Sequence, residues 1–564
     1  MKPKNRTLAL LSVPLVFASA CASIGQDEKE TKPPNIIFIM TDDQSSIVPQ
    51  SGDRNRPFYD GNNRGVQSRP FGFNGDDTVH TPLIDSLARN GLIFSRAYVS
   101  STVCTPSRYT TLTGRYAGRC EGPYFMRLHP DGSMTRVENN TELEEHRDNL
   151  PRLLQQAGYR TGFVGKCHLV DHHLLNQQNW VEHGLKTYDY YDNPKVAEVN
   201  EKMSHNHAYW ANRIKEFGFD YANAVYAANL RELYNDSLNV HNPEWINNAA
   251  LEFIDQAADE PFFLYYSETI PHGPAPWINR EGKYVYGLDA NPGFTGEGYL
   301  ADPFVHMPDR ESIINEVIQA GKDPDHAWLT WFDKAVGAIV EKLDEKGILE
   351  NTLIVITSDH GNYNYQKSTI YEGGVKVPLM MFWPAGIPAR SYYDELVQNI
   401  DFTPTFLDLA GVSLDIPEHL DGTSLKNILL GETLNPVHDY LFFELGFARG
   451  VKTKEWKYIT VRYDEETQRQ VDQGRVFTGW NQHTFTSPYY TRNSHLGYHA
   501  ALMSPNYHDK DQLYDLVNDP GEHHNVVGLF PEKTDEMRGV LIQYLTSFPG
   551  RPYGELVQIN NPDK

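Results

Sequence analysis

The feature that most constrains this chain is a recurring handover from an amphipathic helix, through a short stop, into an apolar strand. Thr81-Pro82-Leu83 opens a helix that Gly91 ends, and Leu92-Ile93-Phe94 starts a strand. Residues 150–157 read as helical, stopped by Gly158, with a strand behind. Residues 243–257 lead into a strand at Phe262, and residues 325–346 into one at Leu353. Parallel strands need crossovers, and crossover helices cover the sheet faces. The alternation therefore predicts an α/β fold: a mostly parallel sheet flanked by helices. A chain of 564 residues can bury a large core and still carry an appendage. With 40% hydrophobic and 22% charged residues, disorder is excluded.

Two apolar strands end in acids, one of them the strand at Leu353 and the other nearer the start of the chain. Asn35-Ile36-Ile37-Phe38-Ile39-Met40-Thr41 runs into Asp42-Asp43, and Thr352-Leu353-Ile354-Val355-Ile356-Thr357-Ser358 runs into Asp359-His360-Gly361. Adjacent carboxylates at a strand end repel and call for a cation. Ligands in open α/β sheets sit outside the carboxyl ends of strands, so both segments can serve one metal ion. Between them lies Cys104-Thr105-Pro106-Ser107-Arg108, followed by Leu112-Thr113-Gly114-Arg115. Pro106 suits a first helical turn, which puts Cys104 just before a helix N-terminus, where free N–H groups favour an anion. Arg108 offers a planar fork of donors that could hold the side chain of residue 104.

The Cys104 block with its Leu-Thr-Gly-Arg tail resembles the type I sulfatases of the alkaline phosphatase superfamily. Other blocks resemble the same family. They are Gly165-Lys166-Cys167-His168 (the family commonly has Trp where Cys167 stands), Pro271-His272-Gly273-Pro274, and Lys367 ahead of Glu372-Gly373-Gly374. Residues 401–411 resemble its late helix, and Asn518-Asp519-Pro520-Gly521-Glu522 a turn in its C-terminal part. The resemblance implies an alkaline-phosphatase-like sheet over residues 35–435 and a smaller C-terminal α+β subdomain over 436–564. Strands of that subdomain are expected in residues 451–460 and 512–516.

The resemblance also implies the chemistry. Cys104 is oxidised to formylglycine by a formylglycine-generating or sulfatase-maturating enzyme. One Ca²⁺, suggested by three carboxylates, is held by Asp42, Asp43, residue 104, Asp359 and His360. A hydroxyl of the hydrated aldehyde attacks sulfur while Lys166 and Lys367 neutralise sulfate oxygens. His272, with Lys367, protonates the leaving oxygen, and His168 takes the proton that releases sulfate. The expected substrate is a sulfated polysaccharide or its oligosaccharides, marine algal (ulvan, carrageenan, fucoidan) before host glycosaminoglycan. A phosphonate or phosphate monoester hydrolase of the same superfamily is one alternative, and a non-catalytic glycan-binding lipoprotein another.

The formal net charge of -24 argues against nonspecific nucleic-acid binding and demands a local basic cleft for a polyanionic substrate. Residues 1–21 read as an export leader: a basic start, an apolar run from Leu8 to Ala20, then Cys21. Ala18-Ser19-Ala20-Cys21 resembles a bacterial lipoprotein signal, although Ala18 stands where Leu is usual, so plain cleavage stays open. Lipidation at Cys21 would hang the protein from the outer membrane, in the periplasm or at the cell surface. Residues 22–34 then form a polar tether. Cys120 and Cys167 are open between a disulfide and two buried thiols. Residues 45–77, 121–147 and 176–226 carry little family signal. The Tyr, Trp, His and Asn of the last stretch suit sugar subsites.

Overall fold

The computed structural model describes residues 32–49, 69–274, 276, 287–416, 419–473, 488–489 and 500–558. Pro33 onward forms one compact unit. Its centre is an eight-stranded sheet made of β1 (Asn35–Thr41), β2 (Leu92–Phe94), β3 (Arg160–Lys166), β4 (Tyr221–Tyr226), β5 (Phe262–Ser267), β6 (Thr352–Ser358), β7 (Leu379–Phe382) and β8 (Ser391–Tyr393). The spatial order is β8-β2-β7-β6-β1-β5-β3-β4. Only β7 runs against its neighbours, so the sheet is mostly parallel as the helix–strand alternation predicts. Every residue of β1, β5 and β6 is buried, which explains their near-continuous apolar runs.

The helices fall where the stop signals put them. Pro82–Asn90 starts on its Pro and ends at Gly91. Pro243–Ala257 is capped by the Asn242 side chain, which accepts from the Trp245 N–H at 3.0 Å. The long helix is Ala327–Glu345, preceded by a 3₁₀ turn at Pro324–His326. One face of the sheet packs Ile37, Ile39, Leu264 and Ile354 against Phe253, Trp328 and Phe332 of these helices. The other packs Phe38, Phe263 and Val355 against Phe402 and Phe406 of the helix Phe402–Leu409.

After the large sheet come β9 (Leu441–Leu445), β10 (Ala448–Lys452), β11 (Trp456–Val461) and β12 (Asp511–Asp515), an antiparallel sheet covered by the helix Pro531–Thr546. Of residues 451–460, expected as strand, 451–452 end β10 and 456–460 lie in β11, while 453–455 form the turn between them. The Thr453 hydroxyl accepts from the N–H groups of Glu455 (3.2 Å) and Trp456 (3.0 Å), bending the chain back. Cys120 and Cys167 are both free and buried, Cys120 Sγ lying 3.4 Å from the Glu142 carbonyl. Among the described residues no helix is long and apolar enough to cross a membrane. The leader, Cys21 and most of the tether lie outside the described residues, as does most of the segment between Ser45 and Asp77.

Candidate active site

The site is assembled by the parallel register. Thr41 pairs with Ser358, so Asp42-Asp43 and Asp359-His360 leave the sheet side by side. The Asp43 N–H donates to Asp359 Oδ1 at 3.0 Å. On the other flank β3 delivers Lys166. Gly165, just before it, has φ +94, and a Cβ there would stand 1.7 Å from the Ser267 carbonyl oxygen. That close approach, at a register shift in β3, lets the strand turn its last side chain inward.

Cys104 is the first residue of the buried helix Cys104–Thr113, not the residue before it. Val103 precedes it in extended backbone and has no side chain able to cap. Around the thiol the expected residues converge. Lys166 Nζ is 3.3 Å from Cys104 Sγ, and it also reaches Asp42 Oδ2 and, at 2.7 Å, Asn229 Oδ1. Asp42 Oδ1 and His360 Nε2 each lie 3.8 Å from the sulfur. The imidazoles of His168 and His272 flank it. Lys367 Nζ grips both oxygens of Asp43, at 2.7 and 2.8 Å. Arg108 spends its fork on Asp359 Oδ2 (3.2 and 3.0 Å), the Lys166 carbonyl (3.2 Å) and Ser267 Oγ, not on residue 104.

These neighbours reset the acidities. Burial alone would raise the Cys104 thiol, but Lys166 and Lys367, helped by His168 and His272, bring it well below its ordinary range. Burial also opposes ionisation of Asp42, and Lys166 overrides it, holding the carboxyl well below the usual range. Asp359 is pushed up to about 7 by burial and by Asp42. Burial lowers His168 to about 4, so its ring is neutral. His360 goes the other way, up to about 9, because Asp359 and Asp43 outweigh its burial.

Asp42, Asp43, Cys104 and His360 each bring a ligand atom into one group whose members lie within 4.8 Å of one another. All four are buried. Asp359, the fifth expected ligand, stands beside this group and is drawn to Arg108, with its Oδ1 3.8 Å from His360 Nε2. The donor set fits a divalent cation: two buried carboxylates, met here by two ammonium groups. The Cys104 thiol stands where the formylglycine that the resemblance implies would be, and such a change would replace a soft sulfur by a hard oxygen suited to Ca²⁺. Asn229 and Ser267 escaped the sequence reading. One is a polar residue just past β4 and the other the last residue of β5, and nothing in their spacing distinguishes either from a strand-end polar residue.

A parallel α/β sheet whose strand ends surround a buried thiol with acids, lysines and histidines defines an enzyme built for anionic esters. The chain belongs to the sulfatase family: the family model "Sulfatase" matches residues 34–412. The model "N-sulphoglucosamine sulphohydrolase, C-terminal" matches residues 358–475. An N-acetylglucosamine-6-O-sulfatase from Bacteroides thetaiotaomicron is 25% identical, covering 81% of this chain and 83% of that protein. Human arylsulfatase A is 26% identical over 91% of this chain and 87% of its own. A sulfatase from Formosa agariphila is 28% identical over 74% and 76%. Two solved structures share the fold. One was determined in complex with its substrate D-glucosamine-2-N,6-O-disulfate (TM-score 0.55, 18% identity, 92% of this chain and 98% of that one). The other, Ps i-CgsB, was determined with k-i-k-neocarrahexaose (TM-score 0.53, 22% identity, 91% and 93%). The protein is a sulfuric ester hydrolase of mixed α/β architecture.

Proposed function

We propose that this sulfatase removes sulfate from an extracellular sulfated polysaccharide or its oligosaccharides, with residue 104 acting as formylglycine. The observation that carries the reading is the position of Cys104. It starts a buried helix with Lys166 at 3.3 Å and with His168 and His272 alongside. In the mature protein the hydrated aldehyde would supply the nucleophile, and a Ca²⁺ ion, which Asp42, Asp43, residue 104, Asp359 and His360 would hold, would supply positive charge against the sulfate.

The remaining roles belong to this chain's own side chains. Lys166 and Lys367 are cations already desolvated, so they neutralise sulfate oxygens at little reorganisation cost. His272 is less deeply buried than the cluster behind it, and with Lys367 it gives a proton to the departing sugar oxygen. His168, neutral in its buried position, accepts a proton from the side chain of residue 104. Arg108 keeps Asp359 and Asp42 aligned through its fork.

Relatives named for 6-sulfated amino sugars support a carbohydrate ester, and a fold neighbour crystallised with a carrageenan-type oligosaccharide supports a polymer-derived one. Marine algal polysaccharides such as ulvan, carrageenan or fucoidan are proposed first and glycosaminoglycans second. Maturation by a formylglycine-generating or sulfatase-maturating enzyme, export, and a lipid anchor at Cys21 complete the proposal. Sulfate release from a panel of sulfated polysaccharides and their oligosaccharides tests it. Release from at least one glycan is expected. Turnover of aryl sulfate with no glycan desulfated would overturn the carbohydrate assignment, and preference for phosphate or phosphonate monoesters would overturn the sulfate ester itself.

A further inference from the structure

One of the segments that carry little family signal, residues 121–147, meets the chain just after His168 beside the site. His172 opens the 3₁₀ turn His172–Leu175, four residues after His168, and its Nε2 lies 3.2 Å from the His168 carbonyl oxygen. Its ring sits 5.8 Å from the His168 ring. On its far side stands Tyr124, 5.9 Å away and edge-on. The Arg127 guanidinium lies over the Tyr124 ring, 5.0 Å from its centre. Exposure rises along this row: His168 is buried, His172 and Tyr124 are half-buried, and Arg127 is exposed.

A single buried carboxylate builds the row. Glu142, 6% exposed, accepts from the His172 N–H through Oε1 at 2.7 Å and from the Tyr124 N–H through Oε2 at 3.2 Å. One side chain therefore fixes both backbones, 48 positions apart in sequence between residues 124 and 172, and sets the two rings side by side. Arg127 makes no ion pair with another described residue, which is notable on a chain whose formal net charge is -24. A half-buried aromatic wall ending in an unneutralised guanidinium is what a sugar ring bearing an anionic group requires. Ring faces cover the C–H surface of the sugar, and a planar fork receives a carboxylate or sulfate.

We propose that Tyr124 and His172 form the wall of the subsite for the sugar next to the sulfated one, and that Arg127 reads a carboxylate or second sulfate on that sugar. This rests on the glycan sulfatase reading and narrows it to polyanionic glycans. The chain of contacts from His168 runs through the His172 and Tyr124 rings before it reaches Arg127, so its charge is assigned to the neighbour and not to the reacting ester.

The test compares kcat/KM of mature wild type, Arg127→Gln and Tyr124→Ala. The substrates are an aryl sulfate and three sulfated disaccharides whose adjoining sugar is neutral, carries a carboxylate, or carries a second sulfate. Wild type should prefer one anionic neighbour over the neutral one by roughly tenfold, and the two anionic arms identify which group is read. Arg127→Gln should erase that preference. Tyr124→Ala should lower the ratio of disaccharide to aryl sulfate turnover. A wild type indifferent to the neighbour's charge, or a preference that survives Arg127→Gln, overturns the subsite while leaving the sulfatase on glycans standing. A wild type that cleaves aryl sulfate and no disaccharide overturns the glycan reading and the subsite with it.

Discussion

Two of the clusters of mixed charge buried among the described residues behave differently. The first is the active site. The second lies between β10, β11 and the segment after Lys367. There Lys452 Nζ meets Tyr98 Oη at 2.6 Å and Glu372 Oε1 at 2.8 Å. Lys457 Nζ lies 3.2 Å from Glu372 Oε1 and 3.0 Å from Glu522 Oε1. Glu522 Oε2 accepts from the Glu372 N–H at 2.6 Å. Two acids face two lysines, and each group's partner is another member. In the active site, by contrast, one ligand atom each from Asp42, Asp43, His360 and the Cys104 thiol itself crowd within 4.8 Å of one another. Buried charge alone therefore does not mark a site; donors aimed at something outside their own network do. The second cluster is a latch that ties the C-terminal sheet to the loop carrying Lys367.

Four outcomes would break or sharpen that contrast. Cys104→Ala should lower turnover by roughly 10³-fold or more, while Tm moves by no more than about 3 °C; steady-state kinetics and a melting curve on the same sample check both. Lys457→Met should do the reverse. It strands Glu522, so stability should fall by about 3–5 kcal/mol, with kcat per folded molecule changed by less than about threefold. A denaturant titration paired with active-site-normalised kinetics reads this. Exhaustive chelation should act on the first cluster alone, lowering stability by about 3 kcal/mol and activity with it. Returning Ca²⁺ should restore both, whereas equal stability with and without chelator would contradict the metal assignment.

The smallest effect concerns pH. Burial, with Glu372 nearby, raises Glu522 to about 7 from an ordinary 4.5. The folded protein thus keeps a proton that the unfolded chain has lost. The associated stability is full below about pH 4.5 and fades as pH rises through about 7. Gln mimics the protonated acid, so Glu522→Gln should gain on wild type across that window, by at most about 3 kcal/mol. Melting curves from pH 4.5 to 8 that stay parallel for the two proteins would show that Glu522 is charged throughout.

Much of the first cluster is legible because its members sit at strand ends. Asp42, Lys166 and Asp359 each follow an apolar run, and a parallel sheet brings such ends together by construction. Fold class is legible for the same reason, since Pro, Gly and Asn punctuate the helices where they really stop. The second cluster gives no such signal. Lys452, Lys457 and Glu522 are ordinary charged residues in or near antiparallel strands, and their pairing with Glu372 depends on packing between sheets. Glu142 is equally silent: it lies in a polar, acidic loop, and only the fold reveals that its two oxygens clamp residues 124 and 172. The helix takes in Cys104 itself, one residue earlier than Pro106 suggests, and Val103 offers no capping side chain to mark that boundary.

The measurement that bears most directly on the nucleophile is peptide mass spectrometry of residue 104, paired with sulfate release, across preparations made with and without a maturating enzyme. Specific activity should rise in proportion to the fraction of residue 104 carrying the aldehyde and vanish where that fraction is zero. Full activity in protein whose residue 104 is unmodified cysteine would contradict the assignment.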